Sequence, residues 1–385
     1  MTYKGTQRLG DFFSNRREKG AVGLSTLSIT LDHGIVDRDS IDRKMETNLL
    51  ADEHLLGKSG DIAYNMMRMW QGASGLIERD GLLSPAYVVL APKQEINSRY
   101  AAYLFKSPRL IYLFWAYSYG LTNDRLRLYF NDFRRIPVEI PPISEQTKIA
   151  NFLTAVDEKI SQLTQKYDLL KQYKKGVMQQ IFSQKLRFKD DDGREFPEWE
   201  TKKLGEISSS ILYGMNASAI TFDGENKYLR ITDIDDDTRA FKPSPLSSPS
   251  GNIEAKFKMQ IGDIVFARTG ASVGKSYIYK PRDGNLFFAG FLIKFSISEG
   301  VPYFIFIQTL TERYRSWVKI MSMRSGQPGI NAEEFKDFEI SFPCKTEQTK
   351  IANFLTAIDD KITQAQTQLD AVKQYKKGLL QQLFA

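Results

Sequence analysis

The chain has 385 residues, one cysteine and a formal charge of +7, with 42% hydrophobic and 26% charged residues. Cys344 alone excludes an internal disulfide framework and suits a reducing cytosol, and the apolar content excludes wholesale disorder. The longest apolar run, Leu110–Leu121, falls short of the roughly 20 residues that span a bilayer, and the opening MTYKGTQRLGDFF lacks a signal-peptide core, so a soluble cytoplasmic protein is expected.

Residues 1–142 read as a mixed α/β head. Leu9-Gly10 opens it, and Leu27–Leu31 is a β-rich stretch. Gly60-Asp61 is a turn feeding an alternating strand through Tyr64. An aromatic helical segment, Tyr100–Tyr119, follows. The head closes on an alternating strand that contains Phe133, Val138 and Ile140 and stops at Pro141.

Residues 143–185 form the first helical repeat. Pro141-Pro142-Ile143 ends the extended stretch, Ser144 takes the N-cap, and Glu145 complements the helix dipole. Apolar positions then alternate by four and three: Ile149, Leu153, Val156, Ile160, Leu163, Tyr167 and Leu170. That 3.5-residue period is a coiled-coil seam. It breaks at Lys174, after which Tyr173, Val177 and Ile181 continue on a shifted face. At 1.5 Å per residue such a helix is about 55–60 Å long.

Residues 186–343 contain a connector and a second head. The charged segment Ser183–Lys203 offers Phe188, Phe196 and Trp199 as anchors. The second head repeats the plan of the first: Leu204-Gly205, the stretch Tyr228–Thr232, the turn and strand Gly262–Phe266, an aromatic helical segment Tyr303–Val318, and a last strand with Phe335, Ile340, Phe342 and Pro343. Residues 344–385 are the second helical repeat, with Thr346 at the N-cap and Ile351, Leu355, Ile358, Ile362, Ala365, Leu369 and Val372 on the seam.

The two helices are copies. Glu145–Phe182 and Glu347–Phe384 align without a gap at an offset of 202, and 25 of the 38 positions are identical. The heads between them are much less alike. A repeat of this kind decides the architecture: a duplicated head-plus-helix unit with pseudo-twofold symmetry, α+β in class. A long helix with one apolar seam must cover it. Connectivity favours antiparallel pairing with the twin, over each helix packing only on its own head. The first head has no counterpart of the connector, so either the N-terminus is naturally short or something upstream is missing.

Three elements carry a family resemblance. The first is the entry to each helix, Pro141–Ala150 and, more loosely, Pro343–Ala352. The second is Lys185-Leu186-Arg187-Phe188 with Trp199 and Lys203-Leu204-Gly205. The third is Gly262–Gly270 with Gly274-Lys275. Together they resemble the specificity subunit of type I restriction-modification enzymes, over essentially the whole chain. The resemblance implies two target recognition domains, each reading half of a bipartite double-stranded DNA site, held apart by two helices that bind methyltransferase subunits, two of them expected. Restriction/translocase subunits would join in the full complex. It implies no cofactor in this chain, with S-adenosylmethionine, ATP and Mg on partner subunits, and a bacterial or archaeal cytosol. A related system with a fused methyltransferase-nuclease partner is the alternative. Asp61–Arg68 in the first head departs from the Arg268-Thr269-Gly270 form of the second.

Other constellations offer little chemistry. Gly274-Lys275-Ser276 would need glycine at position 269 to form a phosphate loop, and Thr269 stands there. Asp233, Asp235 and Asp237 begin like a calcium loop but meet Thr238 and Ser244 where glycine and glutamate belong. Glu200-Thr201-Lys202 downstream of Asp190–Asp192 resembles a nuclease motif placed in a connector. His33 and His54 are too few for a metal cluster, and no methyltransferase Pro-Pro tetrapeptide occurs. No metal site and no catalysis are expected. A self-contained nuclease or NTPase and a protein-binding scaffold remain the rival readings. The positive charge and the loops favour DNA recognition. Candidate DNA contacts are Arg68, Trp70, Gln71, Asn123, Arg125 and Arg127 in the first head. In the second they are Arg230, Arg268, Thr269, Lys275, Arg324, Gln327 and Asn331, types suited to base edges or phosphates. The pairs Lys174-Lys175 and Lys376-Lys377 are expected on solvated faces or at partner contacts.

Overall fold

The computed structural model describes residues 7–41, 49–323 and 328–384. The chain divides into two compact units, Met1–Lys166 with Ala365–Ala385, and Tyr167–Gln364. Each unit therefore contains one head, the beginning of the long helix that follows it, and the end of the other long helix.

In the first unit a four-stranded antiparallel sheet runs in the order Phe13–Arg16, Tyr87–Pro92, Ile62–Asn65, Ser74–Leu76. Alternation along the strands explains its two buried faces. Ile62, Tyr64, Val88 and Leu90 pack with the helices Ser98–Leu104 and Pro108–Ala116. Ala63 and Val89 point the other way, into a smaller core with Leu27, Ile29 and Leu83. The expected single helical segment is split. Ser107 caps the second helix by accepting from the Leu110 N–H at 3.3 Å, and Pro108 takes its first position.

The second unit repeats the sheet as Ser208–Tyr213, Leu292–Ile297, Asp263–Ala267, Ser276–Ile278. Here too the helical segment is double, Pro302–Gln308 and Glu312–Ser322. The heads differ in the strands that flank the sheet. Leu27–Thr30 forms a hairpin with Gly34–Asp37, whereas Lys227–Leu229 runs parallel to Leu286–Phe288.

The Gly-Asp turns have one cause in both heads. Gly60 and Gly262 sit at φ +90° and +95°, where a side chain would be strained. The buried aspartate that follows closes the turn and meets a cation across the sheet. Asp61 accepts from the Lys58 N–H at 3.0 Å and pairs with Arg16 at 2.6 Å. Asp263 accepts from the Gln260 N–H at 2.8 Å and the Ser296 hydroxyl at 2.6 Å, with Lys294 at 3.4 Å.

Phe133 and Phe335 lie on short helices, Phe130–Phe133 and Ala332–Lys336, rather than on the closing strands where alternation places them. Both rings are fully buried. Phe133 lies 5.5 Å from Tyr64 and 5.7 Å from Phe105, and Phe335 lies 4.9 Å from Phe266.

The long helices span Ile143–Phe182 and Lys345–Leu383. Both start before the expected caps, so Ser144 and Thr346 fall inside the first turn. The anchoring side chain at each start is a buried glutamine instead. Gln146 accepts from the Asn97 N–H at 2.8 Å and donates to the carbonyls of Glu95 and Pro141. Gln348 accepts from the Val301 N–H at 2.8 Å and donates to the Pro343 carbonyl.

Within each unit the two helix segments pair antiparallel. Asp157 meets Lys376 at 2.5 Å in the first unit, and Lys174 meets Asp359 at 2.5 Å in the second. One lysine of each Lys-Lys pair is thus an interhelical partner rather than a solvated group. Leu153, Val156, Leu163, Ile351, Leu355, Ile358 and Leu369 are buried; Ile149, Ile160, Leu170, Ile362 and Val372 are partly so. Ile351, Leu355 and Ile358 share one core with Val177, Met178, Ile181 and the second head, so each helix packs on its head and on its twin together. Tyr173, expected on the shifted face, is 53% exposed. Val177 and Ile181 are buried there as expected, and Met178 joins them.

Candidate nucleic-acid interface

In each head the loop after the central sheet strand is fastened to the loop that precedes the closing aromatic helix. In the first head the loop Met66–Gly72 receives a bond from the Leu128 N–H to the Met66 carbonyl at 2.9 Å. Lys106 donates to the Gly72 carbonyl at 2.6 Å from beneath. Burial pushes the Lys106 ammonium down to about 8, with the charge of Lys376 adding to the effect and Asp32 opposing it. Gly72 sits at φ +88° at the foot of the loop.

The second head ties the same places together. Ile330 donates to the Arg268 carbonyl at 2.9 Å and Gly270 donates to the Pro328 carbonyl at 3.1 Å. Gly270 and Gly274 have φ of +78° and +79°. A Cβ on Gly274 would lie 2.6 Å from the Val318 side chain, and Tyr314 donates to the Gly274 carbonyl at 2.8 Å. The glycines therefore let the hairpin turn sharply against helix Glu312–Ser322.

The candidate side chains sort into two groups. In the first head Arg68 and Gln71 are exposed and bonded to each other at 3.2 Å, and the Trp70 indole donates to the Met67 carbonyl at 3.1 Å. Arg125 and Arg127 are exposed in the fastened loop, where Arg127 and Tyr119 exchange backbone bonds of 2.9 and 3.0 Å. Asn123 lies in the turn Asn123–Arg125, and its side chain is outside the described residues.

In the second head Arg268 is half-buried, its guanidinium 5.2 Å from the Tyr213 ring centroid. Among the described residues its buried Nε has no hydrogen-bond partner. Thr269 bridges to Gly329 beside it. Lys275 is 7% exposed and pairs with Asp236 at 2.7 Å. Arg230 forks the buried Asp233 with two bonds of 2.8 Å, and Asn331 caps helix Ala332–Lys336 by accepting from the Glu334 N–H at 2.9 Å. Both polar heads are thereby engaged by bonds within the chain, Arg230 half-buried and Asn331 exposed. Arg324 and Gln327 lie outside the described residues.

Tyr213 and Phe291 belong to this surface although sequence reasoning passed over them. Phe291 is 61% exposed and its carbonyl accepts from the Arg268 N–H at 3.0 Å. Tyr213 is the exposed last residue of strand Ser208–Tyr213. The acidic turn is self-satisfied, because Asp235 accepts from both the N–H and the hydroxyl of Thr238 at 2.8 Å.

A head duplicated on one frame, with different arginine-bearing loops fastened at equivalent places, defines a recognition module rather than a reaction centre. The chain matches the family described as type I restriction modification DNA specificity domain over residues 62–172 and 197–374, and it belongs to that family. Specificity subunits are the non-catalytic DNA-recognition members of type I restriction-modification complexes, and this chain is one of them. It is 24% identical over 336 residues to the type I restriction enzyme MjaVIII specificity subunit of Methanocaldococcus jannaschii, covering 82% of this chain and 77% of that protein. It is 23% identical over 265 residues to the putative MjaX specificity subunit of the same organism, covering 64% of this chain and 58% of that one. A crystal structure of the type I restriction-modification S subunit from M. genitalium shares its fold, with a TM-score of 0.61 at 15% identity, over 100% of this chain and 98% of that one. A chain from a structural study of assembly and conformational transition in the type I system gives 0.55 at 16% identity, over 98% of this chain and 96% of that one. No described helix is long and apolar enough to cross a membrane.

Proposed function

We propose that each head reads one half of an asymmetric bipartite DNA site, with an unread spacer between the halves. The paired helices dock two methyltransferase subunits, and restriction/translocase subunits join in the full complex. S-adenosylmethionine, ATP and Mg serve those partner subunits, and this chain supplies the address. One observation carries the reading: the same pair of loops is fastened together in both heads, but on one it presents Arg68, Gln71, Arg125 and Arg127 and on the other Arg268 above Tyr213. A shared frame with different polar tips suits two different half-sites. The near-identical helices suit two copies of one docking partner. Phosphate contacts position such a reader, while base-edge contacts specify its sequence.

Mapping methylated positions in DNA from cells that carry this subunit with its methyltransferase tests the proposal directly. A bipartite asymmetric motif is expected, and Arg268→Ala should lower occupancy of one half-site by roughly 5- to 100-fold while leaving the other half's sequence unchanged. Methylation without a bipartite motif, or an Arg268 variant that relaxes both halves equally, would contradict it. Affinity should also fall steeply with added salt.

A further inference from the structure

The beginning of each long helix carries the same three side chains, Glu145, Lys148 and Phe152 in one copy and Glu347, Lys350 and Phe354 in the other. In the second unit the connector covers all three. Arg187 forks the Glu347 carboxylate with bonds of 3.0 and 2.9 Å, and the Trp199 indole donates to it at 2.9 Å, leaving Glu347 fully buried. Lys350 donates to the Lys189 carbonyl at 2.8 Å and pairs with Asp191 at 2.6 Å. The Phe188 ring stands 5.6 Å from Phe354.

Among the described residues, the first unit presents the same chemistry uncovered. Glu145 and Lys148 are exposed, and Phe152 is 45% exposed. Beside Glu145 opens a groove of about 660 Å³ with Tyr100, Leu104, Ile140, Ile149 and Phe384 along it. Carboxylate and apolar trough sit side by side, as they do under the connector. The connector itself is tethered in the second unit, between the end of the first long helix and strand Glu200–Lys203.

We propose that this groove receives an extended segment of a partner polypeptide with the connector's chemistry: an arginine that forks Glu145, and aromatic side chains that cover Phe152 and fill the trough. Charge complementarity selects this occupant. The carboxylate repels a phosphate backbone and attracts a guanidinium, whose planar fork fits it with two bonds. The inference is independent of which DNA sequence the heads read.

A labelled peptide with the sequence of residues 185–200, titrated into the full chain, tests it. Saturable 1:1 binding is expected. Glu145→Gln in the protein, or alanine for the peptide's arginine, should each weaken it about tenfold or more, with little further loss when combined. Phe152→Ala should weaken it less, and because that side chain is exposed the variant remains a folded control. Absence of binding, or binding indifferent to Glu145→Gln, would overturn the proposal. So would binding that appears only after residues 1–6 are removed, which would assign the groove to the chain's own leading segment.

Discussion

Where the two heads present their loops, the same frame carries opposite solutions to the placing of an arginine. Arg68 stands exposed and bonded to the Gln71 side chain, whereas Arg268 is half-buried on Tyr213 and its backbone is clamped on both sides. The first arrangement leaves the guanidinium to choose its geometry, and the second fixes it in advance. Preorganised groups lose less entropy on binding, so on the proposed reading the second head should discriminate more sharply among bases than the first. What is common lies beneath, in the sheet order, the Gly-Asp turn and the aromatic ring that locks loop to sheet. The comparison therefore separates residues that build the frame from residues that differ between readers.

The frame breaks most heavily at its aromatic lock. Phe335→Ala removes a fully buried ring that touches Phe266, Phe295 and Trp317. A loss of about 3–5 kcal/mol is expected for the second head, and Phe133→Ala should cost the first head a similar amount. Chemical denaturation followed by limited proteolysis, which resolves the two heads, checks whether each variant melts only its own. Equal melting of both heads by either variant would contradict independent frames.

A smaller loss is expected where helix meets head. Gln348→Ala orphans the Val301 N–H and the Pro343 carbonyl, and Gln146→Ala orphans the Asn97 N–H and two carbonyls. Each should cost about 1–3 kcal/mol, read as a drop in denaturation midpoint. A Glu replacement at either position keeps one acceptor but buries a carboxylate against those carbonyls, and should cost at least as much as alanine.

Much of this plan was legible because it repeats. The offset of 202 aligned the helices, the Gly-Asp turns and the closing segments, and apolar period alone placed most of the seam. The misplacements share a physical origin: sequence pattern reports which side chains are apolar, not which partner a polar one finds. Ser144 and Thr346 were the expected caps by residue type, yet the buried Gln146 and Gln348 bind the neighbouring head, a contact invisible to local reasoning. Arg230 and Lys275 looked available for DNA, but Arg230 is held by Asp233 only three residues along the chain, and Lys275 by Asp236, which the fold brings within reach. Phe133 and Phe335 kept their register but moved onto short helices, since alternation over so few residues cannot separate a strand from one helical turn.

The helix pairing offers a symmetric test of smaller size. Asp157 binds Lys376 and also accepts from the Tyr103 hydroxyl at 2.8 Å, while Asp359 binds Lys174 and accepts from the Tyr303 hydroxyl. Burial, with each aspartate adding to it, raises both tyrosines, Tyr103 to about 12. Asp157→Asn should cost about 1 kcal/mol, because the pair is partly exposed and the tyrosine keeps an acceptor. Exchanging the partners, as Asp157→Lys with Lys376→Asp, should recover part of that loss. A single substitution that costs nothing would show the pair to be a neutral decoration of the seam.

A last test is a pH dependence in the first head, where Lys106 supports the Gly72 carbonyl. Folded Lys106 loses its proton near pH 8 rather than at its ordinary 10.5, burial being the main cause. Between those values the unfolded chain binds the extra proton, so this group's contribution to stability rises with pH across the window. Below about pH 8 the folded head holds the buried charge at a cost. Lys106→Met removes both the charge and the titration. Subtracting its stability from that of the parent chain, at pH 7 and again near pH 10.5, should therefore give a difference that shifts in the parent's favour at the higher pH. A difference that stays constant would mean that the ammonium is as well solvated beneath the loop as in water, and the first head's loop would then rest on its backbone bonds alone.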